Sequence, residues 1–405
     1  MSENSEKINV WDAKHLLKVR EEREPQSIKA PDPDQLREKI EPWLTALFQS
    51  EHLSLLTGAG ISSAVHHLAT GENGSGMKLI DFSVFKEQIK YNSDKSAKNA
   101  NRGEANIEDQ IRIANELIKG LEIYFSTGIL GSKKNNKIIS SLKDELSKGI
   151  SDFVDCVLDC ERNIVSSENF KAAEYLMSFL MSFTSRSATR ERLNIFTLNY
   201  DRIIEFGAEL AGLHLIDRFV GNISPIFRSS RLKVDMHYNG YIHRIGLPYG
   251  ADCISKYSED AESIMIYPNA AKDRETSEYP YVELFRDFAA AICRPNSTIV
   301  VYGYSFGDEH INRVIADMLT IPSTHLVIIA YCDTGNRIQA FYKNVRRPVQ
   351  ISLLIGNHFG NLETLVDNYL PKPAIDRTTY KMAELLKARG YVTGKGNIDK
   401  EDTLE

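Results

Sequence analysis

Cysteine is scarce: five residues in 405, at positions 156, 160, 253, 293 and 332, with no Cys-x-x-Cys pair. An odd number at irregular spacing is a poor disulfide framework and fits a reducing compartment. Cys156 and Cys160 would share a helix face, but no neighbouring Cys or His pair completes a tetrahedral zinc site, so no zinc is expected. Long apolar runs are missing as well. Nothing approaches the roughly 18 apolar residues of a membrane helix, and the N-terminal MSENSEKINVWDAKHLLKVREEREP has no signal-peptide core. There is no basic excess either. The 49 Lys+Arg against 55 Asp+Glu give a net charge of −6, which argues against a charge-driven nucleic-acid binder. What is present is apolar material, 42% of the chain with 18 Tyr and 17 Phe, enough for a substantial core and too much for wholesale disorder. The expectation is a soluble cytoplasmic protein of one elaborated domain or two.

Residues 1–30 are polar, with a short helix expected around Trp11–Val19. They read as a tail or an oligomerisation segment too polar for the core, so their deletion is expected to weaken assembly more than the sheet. PDPDQ (31–35) marks a helix start with Asp34 as candidate N-cap, and residues 1–44 form an N-terminal arm and helix. A strand–loop–helix rhythm follows over 45–370. HLSLL (52–56), NIFTL (194–198), STIVVYGY (297–304), HLVIIAYC (325–332) and VQISLLIG (349–356) are short apolar runs, each leading into an amphipathic helix. This predicts a doubly wound α/β fold, a mostly parallel Rossmann-like sheet covered on both faces, with ligands at the carboxyl ends of its strands. Between about 83 and 192 the rhythm lapses. Ile107, Ile111, Ala114, Ile118 and Leu121 recur at helical spacing, predicting a helical insertion that caps the sheet's binding edge or serves oligomer contacts. Residues 371–405 read as a peripheral helix and tail.

Three strand ends carry candidate chemistry. In Thr57-Gly-Ala-Gly-Ile-Ser62 the glycines let a pyrophosphate approach the backbone at a helix N-terminus, or simply make a tight turn. In Thr197-Leu-Asn-Tyr-Asp201, Asn199 and Asp201 alternate past a strand and can share a crevice. An amide there can bridge ribose hydroxyls and a carboxylate can accept from a carboxamide, while Asp201 can equally cap the next helix. In Tyr302-Gly-Tyr-Ser-Phe-Gly-Asp308, Ser305 and the backbone at Gly303 can meet the second half of a dinucleotide, with Asp308 an N-cap. His243, in NGYIHRIG, is either a satisfied core histidine or a general base, with His237 as its competitor; His66 and His67 lie on the helix after the glycine turn.

GAGIS, TLNYD, a downstream His and GYSFGDEHI, in this order, resemble the sirtuin family over roughly residues 45–370, the insertion excepted. The resemblance implies NAD as the bound nucleotide. Gly58, Ala59 and Gly60 would meet its phosphates, Asn199 the nicotinamide ribose and a water, and Asp201 the carboxamide. His243 would be the base and Gly303 and Ser305 would hold the adenosine side, with Ile61, Ser62, Thr197 and Asp308 completing the binding set. The departures narrow the reading. Leu198 stands where the family has Gln, Arg244 follows His243 in place of Gly, the four-cysteine zinc module is missing, and Asp81-Phe82 only echoes the family's aspartate–phenylalanine–arginine segment. The pattern is similar to the sirtuin-like NADases of bacterial antiphage defence, in particular the subunit paired with a HerA-type motor ATPase. That resemblance implies an NAD glycohydrolase, a homo-oligomer and a ring-ATPase partner, with nucleic acid reached only through the assembled complex. The alternatives are a zinc-free protein deacylase, a non-catalytic NAD or ADP-ribose-sensing scaffold, or a nuclease subunit of that complex.

Overall fold

The computed structural model describes residues 10–20, 22–72, 74, 78–99, 103–126, 132–167, 169–187, 189–220, 226–227 and 281–372. Its centre is a seven-stranded sheet built from β1 (Leu16–Lys18), β2 (Gln26–Ser27), β3 (His52–Thr57), β4 (Asn194–Thr197), β7 (Ser297–Tyr302), β8 (His325–Ala330) and β9 (Ile351–Ile355), in the order β2-β1-β9-β8-β7-β3-β4. A separate two-stranded ribbon pairs β5 (Phe219–Val220) with β6 (Ile226–Phe227). Strands β4, β3, β7, β8 and β9 are mutually parallel, and β1 and β2 add antiparallel at the β9 edge. The expected α/β architecture with a mostly parallel sheet is therefore present.

Strand residues alternate between two apolar layers, as the two-residue side-chain period requires. Leu53, Leu55, Val300, Tyr302, Val327, Ile329 and Leu354 face α1 (Pro33–Phe48), α2 (Ala59–Thr70), α6 (Lys171–Thr184), α7 (Ile203–Leu210) and α12 (Leu362–Asn368). Leu56, Ile299, Val301, Leu326, Ile328 and Leu353 face α8 (Tyr281–Ile292), α9 (Glu309–Met318) and α10 (Arg337–Val345). The four-residue α11 (Asn357–Gly360) joins β9 to α12. The helix after β3 thus lies on one face and the helix after β7 on the other. These adjacent strands form the topological switch point, where an open α/β sheet leaves a crevice beyond its carboxyl ends.

The insertion contributes α3 (Lys86–Asn99), α4 (Ile107–Ser126) and α5 (Ser132–Val165), which share a core of their own around Ile89, Ile111, Ala114, Leu142, Leu146 and Phe153. By contrast, α6 covers the sheet: Phe183 stacks on Phe48 at 4.5 Å and Phe179 tilts against Tyr302 at 5.1 Å. Among the described residues no helix is long and apolar enough to cross a membrane.

Two N-terminal expectations are corrected. No α-helix forms around Trp11–Val19; a 3-10 turn at Val10–Asp12 leads into β1, and Leu16, Leu17, Lys18 and Val19 are all buried. The pairing edge of β9 and apolar layers on both sides favour an extended segment there. Helix α1 is capped by Asp32 rather than Asp34: its side chain accepts from the Asp34 N–H at 3.1 Å, because Pro33 occupies the first helical position that its fixed φ suits.

At the amino end of β8, His325 contacts Ser352 Oγ through Nε2 at 2.9 Å and meets Trp43 edge-on at 6.1 Å. Burial, helped by the nearby Lys18 charge, lowers its pKa to about 4. The ring is neutral in the fold, whereas the unfolded chain takes up a proton near pH 6.5, so this stabilising difference is lost as pH falls from about 6.5 towards 4. A full unit-charge difference over that range is worth on the order of 2–3 kcal/mol. Urea midpoints at pH 7 and pH 4.5 should converge in His325→Gln relative to the wild type; equal acid sensitivity of the two proteins would refute this.

Candidate functional site

The glycine turn after β3 packs directly against the turn after β7. Gly58 N–H donates to the Tyr302 carbonyl at 3.1 Å and Gly60 N–H to the Gly303 carbonyl at 2.9 Å. A Cβ on Gly58 would lie 2.6 Å from Gly303 O, and one on Gly60 only 2.5 Å from Gly303 Cα. Gly303 itself has φ +67°, a conformation that glycine adopts without a Cβ penalty. The tight-turn function is therefore present: the glycines let the two turns pack backbone to backbone at the switch point. The N–H groups of Gly58, Gly60 and Ile61 already donate to backbone carbonyls, whereas Ala59, at the start of α2, is exposed.

Strand β4 delivers Asn199 and Asp201 to the same place. Leu198 N–H extends the ladder to the Thr57 carbonyl at 3.1 Å, and Thr197 Oγ1 accepts the Asn199 N–H at 3.2 Å, turning the chain over α2. Asn199 Nδ2 donates to the Gly58 carbonyl at 3.0 Å and to Ser62 Oγ at 2.9 Å. Ser62 Oγ donates in turn to Asp201 Oδ2 at 2.6 Å, while Asp201 Oδ1 accepts the Ile203 N–H at 3.1 Å. Asp201 therefore restrains the start of α7 and closes an amide–hydroxyl–carboxylate relay. With both amide hydrogens spent, Asn199 Oδ1 is the atom left to accept a hydrogen bond from a ligand.

Loss of water around Asp201 pushes its carboxyl above the usual carboxylate range, with the Glu161 and Glu205 charges adding to the rise and the Ser62 and Ile203 bonds opposing it. Such a group favours the fold in its protonated form and weakens it when ionised at neutral pH. Asp201→Asn should therefore leave the neutral-pH urea midpoint unchanged or higher; a clearly lowered midpoint would refute this account of the carboxyl.

The third turn is built differently from expectation. Asp308 occupies the N-cap position of α9, but its side chain makes no capping bond. The buried Tyr304 hydroxyl accepts the Asp308 N–H at 3.1 Å and reaches Asn312 Oδ1 at 3.0 Å, so an aromatic side chain organises the helix start. Ser305 is exposed beside it, and Arg337 lies close by, its Nη1 being 3.2 Å from where a Gly307 Cβ would stand. Both oxygens of Asp333 accept N–H groups of α10, from Ile338 and Gln339 at 2.9 Å, which fixes the loop after β8.

Gly58, Ala59, Gly60, Ile61, Ser62, Thr197, Asn199 and Asp201 thus gather at the carboxyl ends of β3 and β4, and Gly303, Ser305 and Asp308 at that of β7. His243 and His237 lie outside the described residues. Among the described residues no three His, Cys, Asp or Glu side chains form a metal-binding group. Sequence reasoning missed Tyr304, Asp333, Arg337, and the two residues interleaved with the relay, Tyr200 and Arg202; the polar–polar alternation of LNYDR was the available signal. No protein-family model matches the chain, and no curated protein matches it.

Proposed function

We propose that the protein is an NAD glycohydrolase, cleaving NAD to ADP-ribose and nicotinamide. The observation that carries the reading is the Asn199–Ser62–Asp201 relay beside the closely packed Gly58, Gly60 and Gly303 turns at the sheet's switch point. A dinucleotide pyrophosphate would approach at the exposed Ala59, at the positive end of α2. Cleavage of the N-glycosidic bond develops oxocarbenium character on the ribose. Asn199 Oδ1 then accepts from the attacking water or a ribose hydroxyl, the spare lone pairs of Asp201 take the carboxamide N–H, and His243 serves as the base. Gly303, Ser305 and Asp308 hold the adenosine side. By the family resemblance, the enzyme works as a homo-oligomer with a HerA-type motor ATPase, depleting NAD as the effector of an antiphage system.

Chromatography of NAD incubated with the purified chain, alone and with the ATPase, tests this. The expected result is release of nicotinamide and ADP-ribose without any acylated peptide. NAD loss that strictly requires an acyl-lysine peptide would identify a deacylase, and binding without turnover in the complete assembly a sensing scaffold.

A further inference from the structure

Four consecutive residues after β4 alternate in what they touch. Asn199 and Asp201 reach the first turn of α2 through Ser62. Tyr200 and Arg202 reach the helical insertion instead. The Tyr200 ring meets Phe153 of α5 edge-on at 5.3 Å, and its hydroxyl donates to Glu108 Oε1 of α4 at 3.0 Å. Arg202 forms a buried ion pair with Glu161 of α5, their side chains 6% and 2% exposed. The Glu161 carboxylate accepts from Arg202 Nε at 3.2 Å, from Nη2, and from the Arg202 backbone N–H at 3.0 Å.

That last bond matters most, because it fixes the main chain of the turn and not only a side chain. A buried ion pair contributes little net stability once the desolvation of both charges is counted. Its placement one residue from Asp201 is better explained by geometry. Side chains of this bend that go in turn to two partners are held from both sides, so moving either partner moves the other pair of side chains.

We infer that the insertion sets the working position of the turn that carries Asn199 and Asp201, with Glu108 and Glu161 as positioning residues acting through Tyr200 and Arg202. The inference rests on the reading of that turn as part of an NAD-cleaving site. Helices α3 and α4 and most of α5 share an apolar core of their own, while Ile164 near the end of α5 joins the layer over the sheet. Tyr200 and Arg202 are thus a direct link between that core and the turn.

Hydrogen exchange and steady-state kinetics on full-length Glu108→Ala, Glu161→Gln and Glu161→Asp test the two ideas separately. Amide exchange in peptides spanning 197–207 should accelerate at least fivefold in Glu108→Ala, and more in Glu161→Gln, while β7 peptides stay as protected as in the wild type. The kcat for NAD should fall about tenfold with KM within twofold, and Glu161→Asp should recover part of both losses. Unchanged exchange in the turn, or a loosened turn with unchanged kcat, overturns the inference. If Glu161→Gln does not fold, Glu108→Ala decides. If the wild type cleaves no NAD in any assembly, the functional reading fails by itself and the exchange arm still reports whether the insertion holds the turn.

Discussion

Asn199→Ala should lower NAD cleavage by about 100- to 1,000-fold while the chain still folds, the scale of loss when a preorganised polar group is removed from a reacting centre. Asn199 is only partly buried and stands past the end of β4, so truncation leaves no enclosed core cavity. The Gly58 carbonyl and Ser62 hydroxyl that it releases lie at the same crevice and can be hydrated there. The relay predicts a graded companion. Ser62→Ala removes the link between amide and carboxylate but leaves both, and should cost about tenfold. His243→Ala is expected to match Asn199→Ala; if His237→Ala does so instead, the base is His237. Nicotinamide release and a thermal melt on each variant are the measurements. Near-normal turnover in folded Asn199→Ala would remove this site from consideration.

The rhythm of short apolar runs and amphipathic helices was legible because each central strand is buried on both faces and so reads as a nearly continuous run rich in Leu, Ile and Val. The locations of the candidate loops followed from that rhythm. Their internal chemistry was harder to read. Gly58 and Gly60 look alike in sequence whether they admit a phosphate or another loop, and it takes Gly303, far along the chain, to show that they pack against backbone. Asp201 was weighed as either a cap or a site residue; one oxygen accepts the Ile203 N–H at the start of α7 and the other accepts from Ser62. Asp308 looked like an ordinary capping residue, but the hydroxyl of Tyr304 holds the N–H at that turn. The N-terminal strand was the least legible. KHLLKV contains a lysine at a position that the sheet buries, and local pattern cannot reveal that Lys18 Nζ finds the Pro348 and Ile351 carbonyls, each at 2.5 Å.

That strand carries the second large effect. Removing residues 1–20 should destabilise the sheet itself, against the expectation that deleting residues 1–30 weakens assembly more than the sheet. Leu16 enters one apolar layer and Leu17 and Val19 the other, all three at most 2% exposed. Burying three such side chains contributes roughly 5–8 kcal/mol by transfer scales, comparable with the whole stability of many domains. The deletion also strips β9 of its antiparallel partner, baring the edge from Leu353 to Ile355 to intermolecular pairing. The truncated chain is therefore expected to be largely insoluble. Leu17→Ala gives the quantitative version: the full-length variant should lose about 2–5 kcal/mol in urea unfolding. Its oligomeric mass by light scattering should match that of the wild type at equal concentration, since Leu17 faces the chain's own core. An unaltered urea midpoint in Leu17→Ala would mean that the arm does not belong to the sheet in solution. A lowered midpoint with an unchanged mass would assign it to the fold and leave assembly to other surfaces.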